Sequence, residues 1–158
     1  MKSLVRKLIK LLIEKQLTVS LAESVTCGLA SNGLNCTTGT SDVFMGSIIC
    51  YSEKVKINLL KVDPELIKKY TAESQEVTDA LAINLQQLIH ADIYVAITGL
   101  NADGGSETAE KPVGTVFFSL LYKGKLVRCR KLFKGSPLRI KKEACKQVYK
   151  MIINELEN

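Results

Sequence analysis

The sequence predicts an α/β protein, a three-layer α/β/α sandwich with a mixed, mostly parallel sheet. Short runs of apolar and β-branched residues alternate along the chain with stretches of helical periodicity, the order that gives parallel strands covered by helices. Two late strand-like runs, 113–122 and 126–133, flank Lys123-Gly124-Lys125. This hairpin pattern places at least one antiparallel strand in the sheet.

The first half of the chain is predicted to contain two helices and two strands. Residues 1–15 place apolar side chains at helical spacing with lysines between them. Residues 17–22 alternate polar and apolar side chains like a strand, and at Ser24 this strand runs into a turn that leads to a helix. After a Thr/Gly-rich break, residues 43–51 are apolar and β-branched enough to form a buried strand.

The second half of the chain is predicted to hold the central strand and a loop suited to ligand binding. Helices are predicted over 64–70 and 74–90 from their caps and apolar spacing. Residues 93–98 form the strongest strand pattern, and the following loop, 99–106, contains three glycines whose free dihedrals suit close approach to a ligand. A basic amphipathic helix over 138–156 closes the chain.

Composition indicates one globular domain spanning residues 1–158. Hydrophobic residues make up 46% and charged residues 24%, which excludes a disordered or wholly membrane-embedded chain. The net charge is +6, from 22 basic and 16 acidic residues, and favours a small anionic partner such as a nucleotide. Because aromatics are only 6% and no nucleic-acid motif occurs, we expect no nucleic-acid partner.

Two residue counts exclude much catalytic chemistry. The only histidine is His90, so mechanisms that need a histidine triad or a two-histidine metal site depend on it. The five cysteines form no CxxC pair, and the amino terminus lacks the uninterrupted apolar stretch of a signal peptide or spanning helix. We therefore expect a cytoplasmic protein with reduced thiols, without a membrane partner, a metal or a cofactor.

Ser24 is the first candidate for chemistry. It lies at a junction from strand to helix, where the unpaired N–H groups of a helix amino terminus could stabilise an oxyanion. The small residues Thr26, Cys27 and Gly28 leave room there for a substrate. The alternative is that Ser24 only caps the helix, and the local sequence alone favours the cap.

A nucleophilic serine needs a base, and here the base would be a desolvated lysine. Lys54 and Lys56 follow the second strand, and burial would bring the pKa of either amine down toward operating pH. The alternative is that both are solvated charges at a helix start, and spacing does not separate these readings. Cys27 is a rival nucleophile, but no neighbouring histidine or basic residue would assist it.

Three segments in order resemble the CinA carboxy-terminal domain family, the nicotinamide-nucleotide amidases of bacterial pyridine-nucleotide recycling. The family signature AESCTGG is similar to residues 22–28, and GxSxxFxGgxxxYsnxxK is similar to residues 39–56. The segments TGIAGPxGG and KPVGTV are similar to 98–105 and 111–116. The resemblance covers about residues 4–156, nearly the whole chain.

The resemblance implies hydrolysis of the carboxamide of nicotinamide mononucleotide, giving nicotinate mononucleotide and ammonia by a metal-free serine/lysine mechanism. It makes Ser24 the nucleophile, Lys56 its base and Tyr51 a residue that orients the pair. Backbone N–H groups around residues 26–28 would stabilise the tetrahedral intermediate. The substrate-binding residues that the resemblance implies are Thr26, Cys27, Gly28, Thr98, Gly99, Arg139 and Lys141. The expected partners are a small-molecule nucleotide and further copies of the chain, a homo-oligomer with a dimer favoured.

The chain differs from the family pattern close to the implied site. Cys27 stands where the family has the first glycine of its signature, and residues 101–103 replace Ala-Gly-Pro. Pro137 and Lys141 replace two arginines of the family's GDRxxIR segment. These differences support an alternative, a catalytically divergent paralogue that binds a nucleotide without hydrolysing it. Since Met1 lies just before the region of resemblance, we expect no additional amino-terminal nucleotide-processing domain.

Overall fold

The computed structural model describes residues 1–158 as five strands and seven helices. The strands are β1 Val19–Glu23, β2 Phe44–Ile49, β3 Ile93–Gly99, β4 Thr115–Tyr122 and β5 Lys125–Leu132. The helices are α1 Lys2–Lys15, α2 Leu29–Leu34, α3 Thr40–Val43, α4 Glu53–Asn58, α5 Pro64–Tyr70, α6 Gln75–Leu85 and α7 Pro137–Glu157.

The strands form one sheet in the order β2-β1-β3-β4-β5. β1 pairs in parallel with both β2 and β3, whereas β4 pairs in antiparallel fashion with β3 and β5, so four strands run one way and β4 the other. The mixed sheet with helices on both sides confirms the predicted fold class. Because β1, β2 and β3 are parallel, their carboxyl ends meet at one edge of the sheet.

The two faces of the sheet are covered by different helices. The larger core packs α1, α2 and α7 against one face, and there the fully buried Tyr149 donates a hydrogen bond from its hydroxyl to the carbonyl of Ala30, at 2.7 Å. A smaller core packs α6 against the other face, around Leu81 and Leu85. Not one of the seven helices combines the length and apolarity needed to span a bilayer.

The turn predicted after the first strand forms over residues 24–28, and α2 begins at Leu29. Two other segments differ from the sequence predictions. The sixth helix ends at Leu85 instead of running to His90. The predicted break over 37–41 and the predicted strand over 43–51 both overlap the helical turn α3, Thr40–Val43, which follows Gly39, whose φ of 85° permits the change of direction.

Candidate active site

Ser24 lies at the carboxyl end of β1, held by both neighbouring strand ends. Its N–H donates to the carbonyl of Ile97 in β3, at 2.9 Å. On the other side, the N–H of Cys50 donates to the carbonyl of Glu23, at 2.8 Å, so the ends of β1 and β2 are joined. The Ser24 side chain is only 5% exposed but borders a cleft.

Lys56 reaches from α4 to Ser24. The side chain of Ser52 caps this helix by accepting from the Val55 N–H, and one turn later the Lys56 side chain turns into the protein. Its Nζ lies 3.1 Å from Ser24 Oγ, 2.7 Å from the Cys50 carbonyl oxygen and 3.2 Å from the Tyr51 carbonyl oxygen. Lys56 is 0% exposed, whereas Lys54 is exposed, so burial selects Lys56 as the base candidate.

Burial lowers the pKa of the Lys56 amine below its ordinary value, because the charged form is deprived of water. Glu73 and Glu53 act in the opposite direction, and neither forms an ion pair with Lys56. A neutral amine has two N–H donors and one lone pair. With the Cys50 and Tyr51 carbonyls taking the donors, the lone pair is left for the Ser24 hydroxyl.

A buried carboxylate organises the turn after Ser24. Glu23 is 0% exposed, and its Oε2 accepts from the Thr26 hydroxyl at 2.6 Å, the Gly28 N–H at 2.9 Å and the Ala30 N–H at 3.1 Å. Its Oε1 accepts from the N–H and the hydroxyl of Ser31. Glu23 therefore accepts from the N–H groups at the amino terminus of α2, and the Ser24 hydroxyl does not cap this helix. The interpretation of Ser24 as a cap is wrong.

The hydrogen bonds of this turn decide which N–H groups could meet an oxyanion. The Gly28 N–H is committed to Glu23, and the Cys27 N–H donates to the Ser24 carbonyl at 3.1 Å. The N–H groups of Val25 and Thr26 have no internal partner. Of the donors expected over residues 26–28, only that of Thr26 is free, and Val25 adds a second.

The cleft beside Ser24 has a volume of about 240 Å³. Val25, Tyr51 and Glu73 border it, and residues 99–105 form its far wall. A second cleft of about 620 Å³ adjoins it and shares Glu73 with it, together with Gly104 and Gly105. The first alone is smaller than the ~300 to 1,000 Å³ usual for ligand pockets, and the two together reach that range.

A half-buried lysine ties the glycine-rich loop to the turn between α5 and α6. Lys111 Nζ donates to Thr71 Oγ1 at 2.6 Å, to the Glu73 carbonyl oxygen at 3.0 Å and to Ser106 Oγ at 2.8 Å. The Ser106 hydroxyl donates onward to the Glu73 carboxylate at 2.6 Å. These side-chain hydrogen bonds, together with the strands that flank the loop, hold the far wall of the cleft in place.

The structure brings most of the predicted central residues together. Ser24 and Lys56 are in contact, and the backbone carbonyl of Tyr51 accepts from Lys56, while Tyr51 is 70% exposed at the cleft. Gly99 also borders the cleft, and a side chain there would meet the Thr115 carbonyl oxygen at 2.7 Å, which explains the glycine.

Other predicted substrate contacts lie elsewhere. Thr98 is fully buried with its hydroxyl 2.8 Å from that of Thr78, so it stands behind the cleft and its side chain does not reach a substrate there. Arg139 borders a different cleft near the start of α7, and Lys141 borders none of the clefts described. Cys27 is exposed at φ 49° and makes no hydrogen bond through its thiol.

Sequence reasoning missed the supporting roles of Glu23, Glu73 and Lys111. Glu23 and Lys111 lie inside segments that resemble the family motifs, yet nothing in their spacing indicates a buried cap or a loop anchor. No group of three or more His, Cys, Asp or Glu side chains is arranged to hold a metal ion. His90 is exposed beside a separate cleft at the opposite edge of the sheet.

Fold and site together define a class, the three-layer α/β/α proteins that carry a serine and a buried lysine at the carboxyl edge of their parallel strands. A family model described as the CinA C-terminal domain matches residues 1–156. The chain belongs to the CinA C-terminal domain family, which confirms the resemblance found in the sequence.

Relatives and solved structures agree with this assignment. A CinA-like protein of Prochlorococcus marinus subsp. pastoris is 40% identical over 134 residues, which cover 84% of this chain and 31% of that relative. The chain thus spans about a third of that protein's length. The competence or damage-inducible protein from Enterobacter asburiae has a TM-score of 0.93 at 26% identity, covering 98% of this chain and 97% of that one. The CinA superfamily protein from Enterobacter cloacae has a TM-score of 0.92 at 28% identity, covering 98% and 91%.

Proposed function

We propose that this chain is an amidohydrolase that converts nicotinamide mononucleotide to nicotinate mononucleotide and ammonia. Membership of a family that includes nicotinamide-nucleotide amidases supports the reaction class. The observation that carries the proposal is the 3.1 Å contact between Ser24 Oγ and the fully buried Lys56 Nζ at the wall of a cleft. A lysine without a carboxylate partner, stripped of water, is the kind of amine that serves as a base near neutral pH.

The first half of the reaction forms an ester on Ser24. The neutral amine of Lys56 takes the hydroxyl proton while Ser24 Oγ attacks the carboxamide carbon. The N–H groups of Val25 and Thr26, which lack internal partners, meet the oxyanion of the tetrahedral intermediate. Lys56 then gives its proton to the amide nitrogen, the C–N bond breaks and ammonia leaves.

The second half hydrolyses the ester. A water molecule takes the place vacated by ammonia and attacks the acyl carbon while Lys56 removes its proton. Collapse of the second tetrahedral intermediate breaks the bond to Ser24 Oγ, which recovers a proton from Lys56. Two carbonyl acceptors, from Cys50 and Tyr51, keep the amine aimed at the same point in both halves.

The test is ammonia release from nicotinamide mononucleotide by purified protein in a buffer with a metal chelator. The variants are Ser24→Ala and Lys56→Met, and Lys54→Met is the matched control because Lys54 is an exposed lysine on the same helix. We expect release by the wild type and by Lys54→Met, and none above background by the two cleft variants.

Each other outcome contradicts a particular part of the proposal. Release that persists in Ser24→Ala and stops when Cys27→Ala is added would assign the nucleophile to Cys27. No release by wild type, together with thermal stabilisation by the nucleotide, would leave the divergent paralogue that binds without hydrolysing. Release that a chelator abolishes would overturn the metal-free mechanism.

A further inference from the structure

The cleft at Ser24 carries negative charge on its wall. Glu73 and Asp103 both border it, and no lysine or arginine does. The adjoining cleft adds Glu53 and one cation, Lys68, whose amine lies 3.5 Å from the carboxylate of Glu65 and whose side chain is 77% exposed. Although the whole chain has a net charge of +6, its charge at this place is negative.

The other cations near the cleft are already engaged or lie apart from it. Lys111 directs all three of its hydrogen bonds to protein oxygens, and Lys56 is buried behind Ser24. Arg139 borders a separate cleft together with Lys142 and Lys146. A doubly charged phosphate on a substrate bound at Ser24 would therefore face carboxylates without a cation from the cleft wall.

The same surroundings suit a cationic ring. A pyridine ring whose nitrogen carries a sugar is a permanent cation. The carboxamide on that ring holds the carbon that Ser24 would attack. The exposed ring of Tyr51 borders the cleft and offers a π face, which attracts cations, while Glu73 and Asp103 attract them by charge. We infer that a pyridinium carboxamide needs no phosphate to be a substrate of this chain, and that the chain hydrolyses the nucleoside at least as efficiently as the mononucleotide.

This inference rests on the proposed amidase function, and one experiment separates the two. Ammonia release is measured with nicotinamide riboside and with nicotinamide mononucleotide, and kcat/KM is compared for the wild type beside Ser24→Ala. We expect a ratio of nucleoside to mononucleotide of about one to ten, since exposed charges change binding by about two- to fivefold each. Repulsion of the phosphate is screened by salt, so the ratio should fall as ionic strength rises from about 0.01 M to about 1 M.

A charge variant assigns the preference to the cleft wall. Asp103→Asn changes an exposed loop carboxylate, and we expect it to lower the ratio by about two- to fivefold. Asp42→Asn, an exposed carboxylate on α3 that does not border the cleft, is the matched control and should leave the ratio unchanged.

The outcomes distinguish the inference from the function. A preference for the mononucleotide at low salt, or a ratio that rises with salt, would overturn the inference and leave the amidase intact. If Lys68→Ala abolished such a preference, Lys68 would be the phosphate partner that the charge argument denies. No ammonia from either compound would overturn the proposed function and the inference with it.

Discussion

Two lysines lie behind the walls of the cleft without bordering it, Lys56 beside Ser24 and Lys111 beside Ser106, and they have much in common. Lys56 and Lys111 each make three hydrogen bonds, and burial lowers the pKa of both amines. They differ in the partners of those bonds. Two of the three partners of Lys56 are backbone carbonyls and the third is the hydroxyl of Ser24, whereas Lys111 bonds to a carbonyl and to two hydroxyls that do not border the cleft at Ser24.

A lowered lysine pKa therefore does not by itself mark a base. Glu73 raises the pKa of both amines, and Lys111 also holds the Glu73 backbone carbonyl at 3.0 Å. Lys111 therefore bridges two loops, while Lys56 is fully buried beside a nucleophile. We expect replacement of Lys56 to affect the chemical step and replacement of Lys111 to affect the shape of the cleft.

The largest effect is expected from Lys56→Met, which keeps the apolar stem and removes the amine. General bases contribute about 10²- to 10⁴-fold, and we expect kcat to fall by about 10³-fold. Lys56→Arg should be equally inactive, because a guanidinium does not lose its proton. The measurement is steady-state ammonia release with Lys54→Met as control. Activity of Lys56→Arg above about a tenth of wild type would contradict the role of the lysine as a base.

The pH dependence gives the next largest effect. Because the base acts in its neutral form, kcat/KM should rise with pH through a pKa below the ordinary lysine value of ~10.4. The free energy of unfolding changes with pH in the same direction as kcat/KM. Between the lowered pKa of the folded state and the ordinary pKa of the unfolded state, unfolding takes up a proton, so the free energy of unfolding increases with pH in that window.

Lys56→Met should remove this contribution to the pH dependence of stability, while Lys111 retains its own. Urea denaturation at several pH values, comparing Lys56→Met with Lys54→Met, measures the difference. If the two variants showed the same pH dependence, the burial of the Lys56 amine would not be linked to folding, and the contrast with an exposed lysine of the same helix would fail.

Glu23→Gln tests the support beneath Ser24. The amide offers one acceptor oxygen where the carboxylate has two, and its NH₂ would face the donors at the start of α2. With five donors on this carboxylate, we expect a loss of about 3 kcal/mol in the free energy of unfolding. Glu14→Gln, an exposed carboxylate paired only with Lys10, should cost less than ~0.5 kcal/mol. Equal costs in denaturant titrations would contradict the organising role of Glu23.

Lys111→Met should raise KM while leaving kcat within about threefold of wild type, since the amine does not contact the nucleophile. Loss of its three hydrogen bonds, partly offset by release of a half-buried charge, should lower the free energy of unfolding by about 1 to 2 kcal/mol. Lys125→Met is the control, because Lys125 is an exposed partner of Glu155. A kcat loss comparable to that of Lys56→Met would erase the distinction between the two sides of the cleft.

The positions of the strands and most helices were easier to predict from the sequence than the conformations of the turns. Periodicity places the strands and most helices because it reports which face is buried, and that is why the strand that ends in Glu23 and the hairpin were found. A turn after Ser24 was predicted, but its conformation and hydrogen bonds were not. Its geometry depends on Glu23 folding back onto five donors, an interaction that periodicity does not encode.

The site was predictable to the level of residue types and motif order. Neither spacing nor composition separated Lys54 from Lys56, and the resemblance selected Lys56 before burial did. The resemblance to the CinA carboxy-terminal domain family implied that Thr98 contacts substrate. Its side chain points instead to Thr78 of α6, because successive side chains of a strand point to opposite faces of the sheet and both faces are buried here.

The smallest effect is expected at Cys27, the rival nucleophile in the turn that follows Ser24. Its backbone has φ 49°, a left-handed conformation that costs a residue with a Cβ about 1 to 2 kcal/mol. Glycine relieves that cost but loses about 0.5 to 1 kcal/mol through the greater freedom of the unfolded chain. Cys27→Gly should therefore raise the free energy of unfolding by about 0.5 to 1 kcal/mol and leave kcat within about twofold. Denaturation measures the stability of the variant, and ammonia release measures its activity. A more stable but inactive variant would assign chemistry to the thiol, because relief of backbone strain gives no other reason for the loss of activity.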